Sequence, residues 1–144
     1  MKKIGYFLLA AFLLIVLAGG MSCQSKTQYT TATPEGTVRA FLQAYSQLDA
    51  KKVAEFWIES ERKEVCSQMD ELFKQFKSIT ISNIKTEVLS QTEDTAKIRI
   101  QYYLTSTTKE GVSQSWYIPQ EINYQLDLAK QDSKWLIRTA GMGR

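Results

Sequence analysis

The stretch Ala96-Lys97-Ile98-Arg99-Ile100-Gln101-Tyr102-Tyr103-Leu104-Thr105 decides the fold, because its even positions are apolar and its odd positions mostly polar. A repeat of two puts Ala96, Ile98, Ile100, Tyr102 and Leu104 on one face of a β-strand. One face needs cover and the other meets water, which is the habit of an antiparallel sheet. Upstream, Ile79 and Ile81 alternate after Ser78, then Ile84 and Val88 change parity. A bulge or bend near Ser82-Asn83 accounts for that switch. Downstream, Trp116, Ile118, Ile122, Tyr124, Leu126 and Leu128 share one parity and predict one long strand. Pro119 inside it marks an edge or a bend. Trp135 and Ile137 mark a last strand. Turns at Gln91–Thr95, Thr107–Gly111 and Ala129–Ser133 complete an antiparallel meander of four strands.

The cover comes from upstream. Thr33 can cap a helix, Pro34 suits its first position and Glu35 suits its positive end. Val38, Phe41, Leu42, Tyr45 and Leu48 then fall at helical spacing. Asp49 is placed to cap a short second helix carrying Val53, Phe56 and Trp57. Ser60 is placed to cap a third, whose stripe is Val65, Met69, Leu72, Phe73 and Phe76. Helices grouped before strands give an α+β domain: three N-terminal helices packed on a four-stranded antiparallel sheet.

The first residues are of another kind. Lys2 and Lys3 precede the apolar run Ile4 to Ala18, and Gly19-Gly20-Met21-Ser22 leads to Cys23. This is the charged, apolar and small-residue layout of an export signal. Three outcomes suit it: a cut before Cys23, a cut after Ala18-Gly19-Gly20 that frees the protein, or an uncleaved anchor. Without Lys2 and Lys3 the 18 basic side chains become 16 against 15 acids, a balance of +1. That gives no support to a nucleic-acid partner. Gln24 to Thr33 is polar, includes four threonines and reads as a flexible tether.

Gly20-Met21-Ser22-Cys23 resembles the processing site of bacterial lipoproteins. The resemblance implies a signal peptide at 1–22, a diacylglycerol on the Cys23 sulfur and a tether over 23–33. It also implies a cell-envelope address with the membrane as partner through that lipid. Gln24 is not the aspartate that resembles an inner-membrane retention signal, so in a diderm host the address is the outer membrane. Two or three acyl chains, at about 0.8 kcal/mol per buried CH₂, make such an anchor nearly permanent. Cys66 then has no disulfide partner.

Thr33-Pro34-Glu35, the helix through Phe41-Leu42, the short helix after Leu48-Asp49 and the closing Trp135-Leu136-Ile137 resemble the nuclear transport factor 2-like (NTF2-like) superfamily. The resemblance covers about residues 33–140, within a domain spanning 34–144. More narrowly it is to small lipoproteins of unknown function. It implies a curved sheet wrapped around the helices as a cone, often with a pocket inside. Enzymes of that superfamily commonly place Asp, His or Tyr there.

The chain has no histidine. Ser-His-Asp and Cys-His catalysis are excluded, as are the common Cys/His zinc sites. No phosphate-cradling glycine motif is present, and no cofactor is called for. The acid pairs Asp70-Glu71 and Glu93-Asp94 lack calcium-loop spacing and read as surface charge. Lys51-Lys52 and Arg62-Lys63 alternate with glutamates in the manner of a solvated helix face. Cys66 reads as a small buried hydrophobe. The aromatic residues are the positive signal. Tyr102, Trp116 and Tyr124 share the apolar parity of the sheet, and Tyr45 and Trp57 can face them from the helices. Such residues line ligand pockets and also fill cores.

Three readings follow. The first is a non-enzymatic envelope lipoprotein that binds a small apolar ligand or an envelope protein. The second is a pocket enzyme using Tyr with Asp or Glu. The third is a homodimer joined through an outer face that carries Tyr103 and Tyr117. The lipid assignment is tested directly: wild type should incorporate labelled palmitate and Cys23→Ser should not. Equal labelling removes it.

Overall fold

The computed structural model describes residues 29–118 and 124–142. Cys23 and the 1–22 signal lie outside the described residues. Three helices come first: α1 (Pro34–Ser46), α2 (Ala50–Glu55) and α3 (Glu59–Phe73). Five strands follow: β1 (Phe76–Gln91), β2 (Thr95–Thr108), β3 (Ser113–Ile118), β4 (Tyr124–Gln131) and β5 (Lys134–Met142). The sheet is antiparallel in the order β1-β2-β4-β5, with β3 also paired to β2. This is the expected α+β arrangement, with five strands rather than four.

The extra strand comes from the run expected to be continuous from Trp116 to Leu128. Tyr102 lies opposite Ile118 and Arg99 lies opposite Gln125. Between those pairs β2 advances past Ile100 and Gln101 only, so the two pairings are four residues out of register. Pro119, which has no N–H to give a ladder, stands at the break. The shift is even, so both halves still present the same parity to the same face.

The helix caps follow the chemistry of their residues. Thr33 Oγ1 accepts from the Gly36 N–H at 3.1 Å, and Asp49 Oδ1 accepts from the Lys52 N–H at 3.0 Å. Ser60 is not a cap. The third helix begins at Glu59 after Ile58, without a side-chain cap, and the Ser60 hydroxyl reaches the Glu61 carboxylate instead. Ile58 is held by the sheet: its N–H donates to the Ile137 carbonyl at 2.9 Å. Phe76, expected on the third helix, opens β1. The expected irregularity in β1 is present. Its register shifts between Ser82 and Lys85, and Asn83 takes a positive φ of 53°.

The core lies between α1 and the inner sheet face. Ile98, Ile100, Leu126, Leu128, Ile137, Val38 and Val53 are fully buried. Each such side chain contributes about 1.5–3 kcal/mol relative to exposure. Leu42, Val65 and Phe73 close the cluster.

The outer edge of β5 is stitched to the helical layer. The Trp135 N–H donates to the Thr31 carbonyl at 2.9 Å, and the Trp135 carbonyl accepts from Thr37 Oγ1 at 2.9 Å. The Ile137 N–H donates to the Phe56 carbonyl at 2.7 Å. An edge whose groups are satisfied in this way cannot recruit a stray strand. Thr31, which falls within the 23–33 stretch expected as a tether, is thus hydrogen-bonded to the domain. Thr30 packs there too: a Cβ at Gly36 would overlap the Thr30 carbonyl oxygen and lie 2.8 Å from Thr33 Oγ1.

Thr37 is fully buried, and its hydroxyl also lies 3.2 Å from the Thr33 carbonyl. Thr37→Val keeps the shape and removes the donor, so it should cost about 1–3 kcal/mol. A denaturant midpoint equal to wild type contradicts this role.

Candidate functional site

Tyr45 sits near the end of α1, Tyr102 in β2 and Tyr124 at the start of β4. Tyr102 shares its face with Ile98 and Ile100, and Tyr124 shares that face with Leu126 and Leu128. The helix brings Tyr45 to the same interior. Its ring meets Phe73 edge-on at 5.0 Å and lies 6.3 Å from Phe41. All three tyrosines are partly buried against the core.

Their electrostatics follow from this placement. Burial disfavours a phenolate, so all three phenols are pushed above their ordinary range. Tyr124 raises both Tyr45 and Tyr102 further, and Tyr45 also raises Tyr102, so the hydroxyls share one neighbourhood. No described carboxylate or cation is among the groups that shift them. None of the three hydroxyls has a hydrogen-bond partner among the described residues. At neutral pH the cluster offers three phenols, each able to donate one hydrogen bond and to accept another, set in an apolar wall.

The other two expected pocket residues lie elsewhere. Trp116 is opposite Leu104 and so has the inner parity, but it is 43% exposed. Every residue of β3 except Ile118 is exposed, and none of the three described helices packs closely on that strand. Trp57 is drawn to the β5 edge, where it bridges Ile137. Its Nε1 is buried without a hydrogen-bond partner among the described residues, and its carbonyl accepts from Arg62 Nε at 2.9 Å. No ring contact joins it to the tyrosines among the described residues. Cys66 is half-buried against the core. Asp70 and Glu71 both hold Lys74, at 2.9 and 3.1 Å, which is a surface role. The described residues contain no cluster of His, Cys, Asp or Glu able to hold a metal ion.

On the outer face Tyr103 and Tyr117 are directly paired across β2 and β3, with ring centroids 4.5 Å apart and planes 28° from parallel. Each is 45% exposed. Their parity was legible, but the register that stacks them was not.

The inner cluster has a measurable signature. The folded state keeps phenolic protons that the unfolded state loses above about pH 10. Stability should therefore fall as pH rises past that point, and Tyr102→Phe should make the fall shallower. In the native protein, Tyr45, Tyr102 and Tyr124 should give their phenolate absorbance above the ordinary phenol range. Ionisation of these three within the ordinary phenol range while the protein stays folded contradicts the shared burial.

No protein-family model matches the chain, and no curated protein matches it in sequence. Solved structures do match it in shape. A protein assigned as an aromatic ring hydroxylase, from Novosphingobium aromaticivorans, aligns with TM-score 0.64 and 14% identity over 75% of this chain and 83% of its own. A protein assigned as a dehydratase of the NTF2-like family, from Streptomyces avermitilis, aligns with TM-score 0.58 and 15% identity, covering 73% and 88%. A ketosteroid isomerase-like protein from Erwinia carotovora atroseptica aligns with TM-score 0.59 and 21% identity, covering 74% and 89%. With helices laid on an antiparallel sheet in the same way as these proteins, the chain has the NTF2-like fold.

Proposed function

We propose that this protein is a non-enzymatic lipoprotein of the cell envelope, anchored through lipid on Cys23. Its domain holds a small ligand with an apolar body and a hydrogen-bonding group. The observation that carries the binding reading is the convergence of Tyr45, Tyr102 and Tyr124, whose hydroxyls have no hydrogen-bond partner among the described residues while their rings stand in the core wall. A neutral phenol in an apolar setting favours a ligand group that can pair with it, because an unpaired polar group there is costly. Phenols shifted upward are poor bases at neutral pH, and the chain has no histidine to take that role. These points favour binding over turnover. The address rests on the lysine-led apolar leader and on Cys23.

Native mass spectrometry of the lipidated protein, released gently from detergent micelles, should find a bound small molecule. The Tyr102→Phe, Tyr124→Phe double variant, which keeps both rings, should lose most of it. A wild-type protein that carries only its own mass overturns the binding reading.

A further inference from the structure

The outer face of the sheet carries a second constellation, separate from the inner tyrosines. Asn83, Ile84, Lys85, Gln101, Tyr103 and Tyr117 line a cleft of about 360 Å³ across β1, β2 and β3. The bulge between Ser82 and Lys85, with Asn83 at positive φ, lies at this cleft. A smaller cleft of about 190 Å³ continues along the same strands, sharing Lys85 and Gln101 and ending at Arg99 and Glu87. Tyr103, Gln101 and Arg99 are successive outward positions of β2. At roughly 3.3 Å per residue the strip is about 13 Å long, the reach of a short linear ligand.

The chemistry of the strip is specific. The stacked tyrosines offer an exposed aromatic platform and two phenols. The carboxamides of Asn83 and Gln101 make no hydrogen bond to the described residues, and each supplies a donor and an acceptor. Lys85 has no ion pair among the described residues, whereas Arg99 is bound to Glu87 at 2.8 Å. Aromatic faces suit the C–H faces of sugar rings, carboxamides suit vicinal hydroxyls, and an unpaired ammonium suits a carboxylate. Among the described lining residues only Ile84 is aliphatic, and it packs partly against the core, so a peptide docked on this face would find little to pack against. We propose that this strip is a binding site for a short acidic oligosaccharide, with Tyr103 and Tyr117 as the stacking platform, Asn83 and Gln101 on the hydroxyls and Lys85 on the acid. The proposal does not depend on the inner cluster.

The test is calorimetric titration of the full-length protein in detergent with a short alginate oligomer, a chain of uronic acids. Wild type should bind. Tyr117→Ala and Lys85→Gln should each weaken binding roughly tenfold or more. Tyr117→Phe, which keeps the ring, should retain most of it, and Tyr102→Phe on the inner face should leave it unchanged. Circular dichroism checks that each variant is folded. Absence of binding at millimolar oligomer overturns the proposal, as does binding that survives either weakening substitution. Sedimentation that shows a dimer dissolved by Tyr117→Ala also overturns it, because the face is then occupied by a second copy.

Discussion

The two layers of this domain are joined by hydrogen bonds along one edge, and the placement of the rest depends on that seam. A sheet edge exposes backbone groups on alternate residues, here those of Trp135 and Ile137. Thr31 and Thr37 satisfy the first, while Phe56 and Ile58 satisfy the second. Apolar packing is non-directional and would let a helix slide on a flat wall of isoleucine and leucine. Fixed donors and acceptors do not allow sliding. They set α1 at one position across the sheet, and that position brings Tyr45 to the neighbourhood of Tyr102 and Tyr124.

Where a local rule acted alone, the sequence was a sufficient guide. Thr33 and Asp49 cap helices because each side chain needs only an amide three residues away. The parity switch in β1 was visible because a bulge changes which residues face inward, and Asn83 is a residue type that tolerates a positive φ. The failures came from distant partners. Ser60 lost the cap position because Ile137, far away in sequence, holds Ile58 and starts the helix two residues sooner. The division of the strand expected from Trp116 to Leu128 was not legible, because a register jump of four leaves the parity intact and Pro119 signals an edge or a bend without its register.

The candidate site shows the same division. The facing of Tyr102 and Tyr124 could be derived from alternation, and that of Tyr45 from helical spacing. How deeply each residue is covered could not. Trp116 has the correct parity and still meets solvent, because cover depends on where the helices stop. Trp57 was assigned to the interior by its helix, but a bridge to Ile137 takes it to the edge. The NTF2-like fold supplies the frame for these residues without choosing their chemistry, since one frame supports many functions.

The seam also decides how the domain meets a pull from its leading segment. Tension arriving through the chain ahead of Tyr29 reaches the Thr31–Trp135 hydrogen bond and the tight seat of Gly36 beneath Thr30 before it reaches the core. These contacts act as a strain relief, like the clamp where a cable enters a housing. A tug would first peel a few residues from β5, and the buried wall of aliphatic side chains would stay closed behind them.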